Sequence, residues 1–340
     1  MISLKGSTEN AKKICDYYDE KGVKHSVWFH QTVSDEFRNV IDDVRPILAE
    51  PSFREKYNLS KAEIELLTTA IQTEKIPEDS KLRKKYFKTK RAVMALSISE
   101  MQLDSGNARF EINIPEDRRE YAGTWQITGA SQSGKTHFFR SLVERNWSLP
   151  KNKRRPLLMI STEENLDKTL KPLKKKRYDE LYTGVDMSED AYDDFRENEQ
   201  GGSPEDFFKK RVKLVLNNVE PNTMVCFDDW EDSPAFVHLQ KELDRLVRVG
   251  RHKSISPVFA LNHRILSGSM GKQLGNSVRW RILFGRSSKH KIISWLNFHL
   301  NMSLPEAKAL LHRIIPDSRW LAVHMHSPFF VCSEKYISLL

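Results

Sequence analysis

Long apolar runs are missing from this chain. None approaches the ~18–20 residues that a membrane-crossing helix needs, so no membrane span is expected. The start, MISLKGSTENAKKICDYYDEK, has no apolar core of the signal-peptide kind, so secretion is not expected. Cysteine is scarce. Cys15, Cys226 and Cys332 are an odd number, widely separated, which excludes a disulfide framework and zinc-ligand spacing and fits free thiols in a reducing compartment. Glycine and proline stand at 14 each in 340 residues, too few for collagen-like or proline-rich architectures. No repeat of 20–50 residues appears.

Apolar residues make up 39%, enough to build a core, and the length accommodates one large domain or two ordinary ones. The net charge of +9 permits a nucleic-acid partner without requiring one. Its distribution is uneven. Lys81–Arg91 holds seven basic residues and no acid, with Tyr86 and Phe87 among them; Lys151–Arg155 adds four and Lys171–Arg177 five. Tyr178–Asp206 is the reverse, with eleven acids and one Arg196, and reads as an acidic surface insertion.

Residues 1–105 read as a mainly helical region of unknown role. Phe37, Val40, Ile41, Val44, Ile47 and Leu48 recur at helical spacing until Pro51, and Ser60 with Glu63 has capping-box spacing before Ile64, Leu67 and Ile71. From Arg109 the pattern changes. Phe110, Ile112 and Ile114 alternate with polar residues as in a half-buried strand, and short apolar strands follow at Thr124–Thr128, Leu157–Ser161, Met224–Phe227, Val258–Leu261 and Arg281–Phe284. Helical stretches at His137–Arg145 and Pro234–Val249 separate some of them, and Trp320–Met325 with Phe329–Ser333 predicts a terminal β-hairpin. The expected fold over residues 106–340 is α/β with a mainly parallel central sheet.

Gly129-Ala130-Ser131-Gln132-Ser133-Gly134-Lys135-Thr136 matches G-x-x-x-x-G-K-[ST] between a strand and a helix, the context that gives this pattern meaning. Small residues let backbone N–H groups wrap a polyphosphate, and the following helix turns its positive end toward the anion. Lys135 is then expected to reach the β- and γ-phosphates of ATP, and the Thr136 hydroxyl to ligate Mg²⁺. The strand Thr223–Phe227 ends in Asp228 and Asp229; the first is the candidate metal ligand and the second the candidate for polarising an attacking water, with an acidic helix cap as the structural alternative. Asn262 follows another apolar strand and is either a γ-phosphate sensor or a turn asparagine. His252, His263, His324 and His326 have no metal-spaced companions and are expected to be hydrogen-bonded structural histidines.

The succession GASQSGKT, MVCFDDW, LDRLVRVGRHKSISPVFALNH and SVRWRILFG resembles the viral genome-packaging ATPases of the poxvirus type, in the FtsK–HerA superfamily of P-loop DNA motors. The resemblance spans about Trp125–Ser333, in motifs. It implies an additional-strand P-loop NTPase, with the Asn262 strand between the phosphate-loop strand and the acidic strand. Asn262 stands where the family usually has Gln, and keeps the amide. It implies ATP hydrolysis coupled to translocation of double-stranded DNA into a capsid, with a hexameric ring, a capsid or vertex partner, and work inside the host cell or on the virion. An arginine from a neighbouring subunit would complete each site, with Arg251 the first candidate and Arg279 and Arg281 the next. Lys81–Arg91 and Lys171–Arg177 are candidate DNA contacts. The alternatives are a nucleoside or nucleotide phosphotransferase and a nucleotide-gated assembly protein without turnover.

Overall fold

The computed structural model describes residues 2–4, 11–30, 44–49, 51–73, 75–103, 106–162, 168–198, 201–262, 277–285 and 289–340. The chain divides into two compact units, residues 1–110 with 336–340, and residues 111–335. The boundary expected between 105 and 106 thus falls at Phe110/Glu111, and the last five residues belong with the first unit.

In the first unit, strands β1 (Ile2–Ser3), β2 (Ala11–Tyr18) and β3 (Lys24–His30) precede helices α1 (Arg45–Ala49), α2 (Pro51–Tyr57), α3 (Lys61–Gln72) and α4 (Ser80–Ser99), then β4 (Glu100–Gln102) and β5 (Arg109–Glu111). The sheet order is β1-β3-β2-β5. The region holds the expected helices and, beyond that expectation, opens on a β-hairpin. The reason is local. Asp19 Oδ1 accepts from the N–H of Lys21 (3.0 Å) and Val23 (2.8 Å), and Gly22 takes φ 76°, closing the turn. A register shift between Lys13 and Cys15 breaks the alternation of β2, so Ile14, Cys15 and Asp16 are all buried in succession. Asp16 is held by Lys13 (2.7 Å) and Lys24 (3.1 Å). Most of the helical pattern expected from Phe37 lies outside the described residues; its end, Val44 and Leu48, packs with Leu67, Ile71 and Tyr86 in the helical core. The Ser60–Glu63 capping box is present at the start of α3.

The second unit holds β6 (Thr124–Thr128), α5 (Lys135–Trp147), β7 (Leu157–Ser161), β8 (Tyr182–Asp186), α6 (Glu189–Asn198), α7 (Pro204–Phe208), α8 (Leu214–Asn217), β9 (Met224–Asp228), α9 (Phe236–Val249), β10 (Val258–Asn262), β11 (Trp280–Phe284), α10 (Lys289–Leu300), α11 (Leu304–Ile314), β12 (Trp320–His324) and β13 (Phe330–Cys332). Its eight strands run in the order β13-β12-β11-β6-β10-β9-β7-β8. From β11 to β8 every pair is parallel, and β12 and β13 add an antiparallel edge, the expected hairpin. The final strand, β14 (Tyr336–Leu339), pairs antiparallel with β4 in the first unit.

Both faces of the sheet are covered, which is why the central strands read as continuous apolar runs. On one face Trp125, Phe259 and Trp280 meet across three strands, and Phe139 of α5 packs edge-on to Phe259 with ring centroids 4.9 Å apart. Each such buried aromatic contributes roughly 1.5–3 kcal/mol of transfer energy. On the other face α9 presents Leu239, Leu243, Leu246 and Val247, at helical spacing, to Val258 and Ala260. Among the described residues no helix is long and apolar enough to cross a membrane.

The acidic stretch Tyr178–Asp206 corrects from a surface insertion to part of the sheet layer. Within it, β8 is an edge strand parallel to β7, and Val185, Met187, Ala191 and Phe195 are buried in the same core as α9. Glu189, Asp190, Asp193, Asp194 and Glu197 occupy exposed positions of α6.

Candidate phosphate-binding site

The site lies where four parallel strands end. Residue 129 follows β6, Asp228 closes β9, Asn262 closes β10, and Ser161 closes β7 beside Asp228. Because β10 lies between β6 and β9, its last residue is adjacent to both the loop and the acids. The central position expected for the Asn262 strand is therefore observed.

Backbone conformation explains the loop's composition. Gly134 takes φ 104° and Gln132 φ 62°, so the chain turns sharply into α5. A Cβ on Gly129 would lie 2.6 Å from Ser133 Oγ and 2.7 Å from Phe284 Cβ, so only glycine fits. The turn is closed by Ser133 N–H donating to Ala130 O at 3.1 Å. Lys135, 6% exposed, donates from Nζ to Gly129 O (3.0 Å) and Ala130 O (3.4 Å). Its ammonium is thus already folded over the loop it must serve. Thr136 stands in the first turn of α5, half-buried, among N–H groups that have no partner within the helix. Open N–H groups, a helix N-terminus and a lysine are the chemistry that suits a polyphosphate.

The acidic end is equally ordered. Asp228 is 2% exposed. Asp229 follows at φ 48° and caps a short 3₁₀ turn, Trp230–Asp232, while its carbonyl accepts from Thr162 Oγ1 at 3.0 Å. Trp230, fully buried, stacks on Phe236 and anchors that turn. The two carboxylates and the Asn262 amide therefore share one edge of the sheet. Asn262 is fully buried; its carbonyl accepts from Gly129 N–H at 3.1 Å. The Asn262 side chain accepts from Gln126 Nε2 (3.3 Å) and donates to Glu231 Oε1 (3.4 Å). Gln126 and Glu231 escape a reading by motif. The signal for Gln126 was a polar residue inside the otherwise apolar core of β6.

A Thr hydroxyl and an Asp carboxylate are oxygen donors, suited to a hard cation such as Mg²⁺ that keeps most of its water and shares phosphate oxygens. Among the described residues no group of three or more His, Cys, Asp or Glu is placed to hold a metal alone. Cys226 is the middle residue of β9, and burial with the nearby Asp228 and Asp229 pushes its thiol pKa well up.

The arginines are distributed differently. Arg251 is exposed on the 3₁₀ turn Gly250–Lys253 that precedes β10, so it lies toward the opposite strand end from the loop of its own chain; its Nε meets His252 Nε2 at 3.4 Å. Arg279 precedes β11. It donates from Nε to His324 Nε2 (3.2 Å) and from Nη1 to Tyr121 O, and burial lowers its pKa. Arg281 is 1% exposed, its guanidinium 4.8 Å over the Trp295 ring, with burial bringing its pKa down to about 10. Arg281 is thus enclosed within its own chain, and Arg279 is bonded to His324 and Tyr121 of its own chain. His324 also contacts Pro328 O at 2.8 Å and is a hydrogen-bonding hub, as expected; His263 lies outside the described residues.

Of the basic runs, Lys81–Arg91 lies on α4, with Tyr86 buried and Phe87, Arg83, Lys84 and Lys88 exposed, while Lys85 pairs with Glu63 at 2.8 Å. Lys171–Arg177 forms two short 3₁₀ turns, with Lys171, Lys175, Lys176 and Arg177 exposed.

No family model matches the chain, and no curated protein matches it. Among solved structures it is similar to the cytoplasmic domain of the type VII secretion ATPase EccC of Thermomonospora curvata, at 14% identity and TM-score 0.39 over 69% of this chain and 28% of that one. It is also similar to EssC (ATPases 2 and 3) of Geobacillus thermodenitrificans, at 14% identity and TM-score 0.34 over 71% of this chain and 43% of that one. The chain spans under half the length of either protein. The fold itself rests on the strand order and the loop geometry. By these the second unit is an α/β P-loop fold with one additional strand between the phosphate loop and the acidic strand.

Proposed function

We propose that this protein binds ATP at Gly129–Thr136 and hydrolyses it, and that hydrolysis drives double-stranded DNA into a viral capsid. The observation that carries the nucleotide reading is the shared sheet edge: the loop after β6 leads to Lys135 at the start of α5, Asp228 closes β9 with Asp229 next to it, and Asn262 closes β10, the strand between β6 and β9. In this reading the loop N–H groups and Lys135 bind the phosphates, and Thr136 with Asp228 holds Mg²⁺. The metal, when bound, neutralises charge developing on the phosphate oxygens. Asp229 takes a proton from the attacking water, and Asn262 contacts the γ-phosphate.

The DNA reading is supported by the motif succession and by exposed basic residues on α4 and at Lys171–Arg177, which suit a sequence-independent hold on the phosphate backbone. A ring of copies, a hexamer by resemblance, supplies Arg251 in trans, since its place near the far strand ends keeps it from its own loop. A capsid or vertex protein is the other partner of this reading.

One experiment tests the whole: ATP turnover with and without duplex DNA across a salt series. Hydrolysis that rises with DNA, and loses that rise steeply as salt increases, supports the motor. Turnover indifferent to DNA at every salt concentration overturns it and favours a phosphotransferase. Nucleotide binding without any turnover favours a nucleotide-gated assembly protein.

A further inference from the structure

Three polar side chains form a line across the sheet edge: Gln126 of β6, Asn262 at the end of β10 and Glu231 in the turn after β9. The line has a definite polarity. An ionised carboxylate only accepts hydrogen bonds, so the group of Asn262 facing Glu231 Oε1 must be its NH₂. Its Oδ1 then faces β6, and Gln126 must answer with a donor, Nε2. One charge thus fixes the orientation of two amides that would otherwise be free to flip. Gln126 and Asn262 are both buried, at 1% and 0% exposure, so neither has water to substitute for the other.

We propose that Glu231 and Gln126 are positioning residues that lock Asn262 as a hydrogen-bond donor toward the γ-phosphate of a bound triphosphate. This deepens the nucleotide reading above and rests on it. With Oδ1 accepting from Gln126 and one Nδ2 hydrogen given to Glu231, Asn262 keeps its second Nδ2 hydrogen and one Oδ1 lone pair, and of these only the hydrogen can meet a phosphate oxygen. A donor suits a phosphate oxygen; it does not suit accepting a proton from water. Asn262 therefore recognises the third phosphate, and the chemistry on water is left to the carboxylates. The same line joins the turn after β9 to the strand that carries the phosphate loop. Loss of the third phosphate would be registered at Glu231, in the turn that carries Asp229.

The test is titration calorimetry of the full-length chain with ADP and with a non-hydrolysable ATP analogue, both with Mg²⁺, in wild type, Glu231→Met, Glu231→Gln, Gln126→Leu and the Glu231→Met/Gln126→Leu double variant. Wild type should prefer the triphosphate. Glu231→Met and Gln126→Leu should each lose about 3-fold or more of that preference, the scale of one hydrogen bond, with ADP affinity unchanged. Glu231→Gln keeps an acceptor oxygen but loses the charge that fixes which group faces Asn262, so its preference should fall between wild type and Glu231→Met. The double variant should be no worse than the worse single, because both act through one amide. Thermal unfolding of each variant separates misfolding from a local loss; Glu231 is partly exposed, so its variants carry the test if Gln126→Leu unfolds. An unchanged triphosphate-to-ADP ratio in the folded single variants, or losses that add in the double, overturns the positioning role alone. Wild-type protein that binds neither nucleotide overturns the functional reading beneath it.

Discussion

The backbone N–H of Gly129 donates to the carbonyl of Asn262 at 3.1 Å, tying the first residue of the phosphate loop to the end of the neighbouring strand. The loop and β10 are thereby tied together at the sheet end. A shift at either end is felt at the other through a bond in a packed interior, where small displacements are not absorbed.

Lys135→Ala removes the ammonium that Gly129 and Ala130 hold over the loop. Turnover should fall by ~100-fold or more, since the charge acts on the transferring phosphate in a water-poor site. Steady-state phosphate release checks this, and an unchanged kcat would remove Lys135 from the site.

Asp229→Asn keeps the shape of the turn and its carbonyl bond from Thr162. ATP affinity should stay within about 2-fold while hydrolysis drops by ~100-fold or more, the scale of a lost general base. Equilibrium binding beside single-turnover hydrolysis separates the two. Loss of ATP binding would move Asp229 into the metal's coordination.

Gly129→Ala forces a methyl to 2.6 Å from Ser133 Oγ and 2.7 Å from Phe284 Cβ. Ser133 can rotate aside; Phe284, in β11, cannot. Destabilisation of ~1–3 kcal/mol is expected from overpacking, with weakened nucleotide binding, measured by denaturant unfolding and titration.

Arg281→Met should leave stability unchanged or raise it by up to ~2 kcal/mol. Among the described residues no carboxylate pairs with Arg281, and its Nε and Nη2 are buried without hydrogen-bond partners. The contact with Trp295 offsets part of that cost. The pH dependence has a definite sign. Burial lowers the folded pKa from the ordinary guanidinium range to about 10, so between the folded and unfolded values the unfolded chain holds more protons and wild-type stability gains from rising pH. The advantage of the variant should therefore be full below pH 10 and shrink above it. Denaturant curves at neutral and alkaline pH check both statements.

Much of the second unit was legible because its constraints are local. A buried parallel strand needs an apolar run, and the phosphate loop needs Gly129 and Gly134 where the backbone leaves no alternative, so strands and loop announce themselves. The side-chain partners of Asn262 were not legible. Glu231 reaches it from the turn after β9 and Gln126 from the middle of β6, at sequence separations of 31 and 136 residues. The hairpin β2–β3 was hidden by the register shift after Lys13, which replaces alternation with three successive buried residues. In Tyr178–Asp206 the count of acids masked the Val185, Met187, Ala191, Phe195 series that anchors it. Charge states which side faces water and says nothing about what the other side packs on.

The three thiols have a practical consequence. Cys15, Cys226 and Cys332 are all buried, at 3%, 0% and 0% exposure. A maleimide added to the folded protein meets a chemically silent surface, with Cys226 further protected by a raised pKa. A cysteine introduced at an exposed position, such as Arg251→Cys on its turn before β10, becomes a solitary handle. A fluorophore or cross-linker attached there would test whether copies of the chain lie beside one another, with no native cysteine to be removed first.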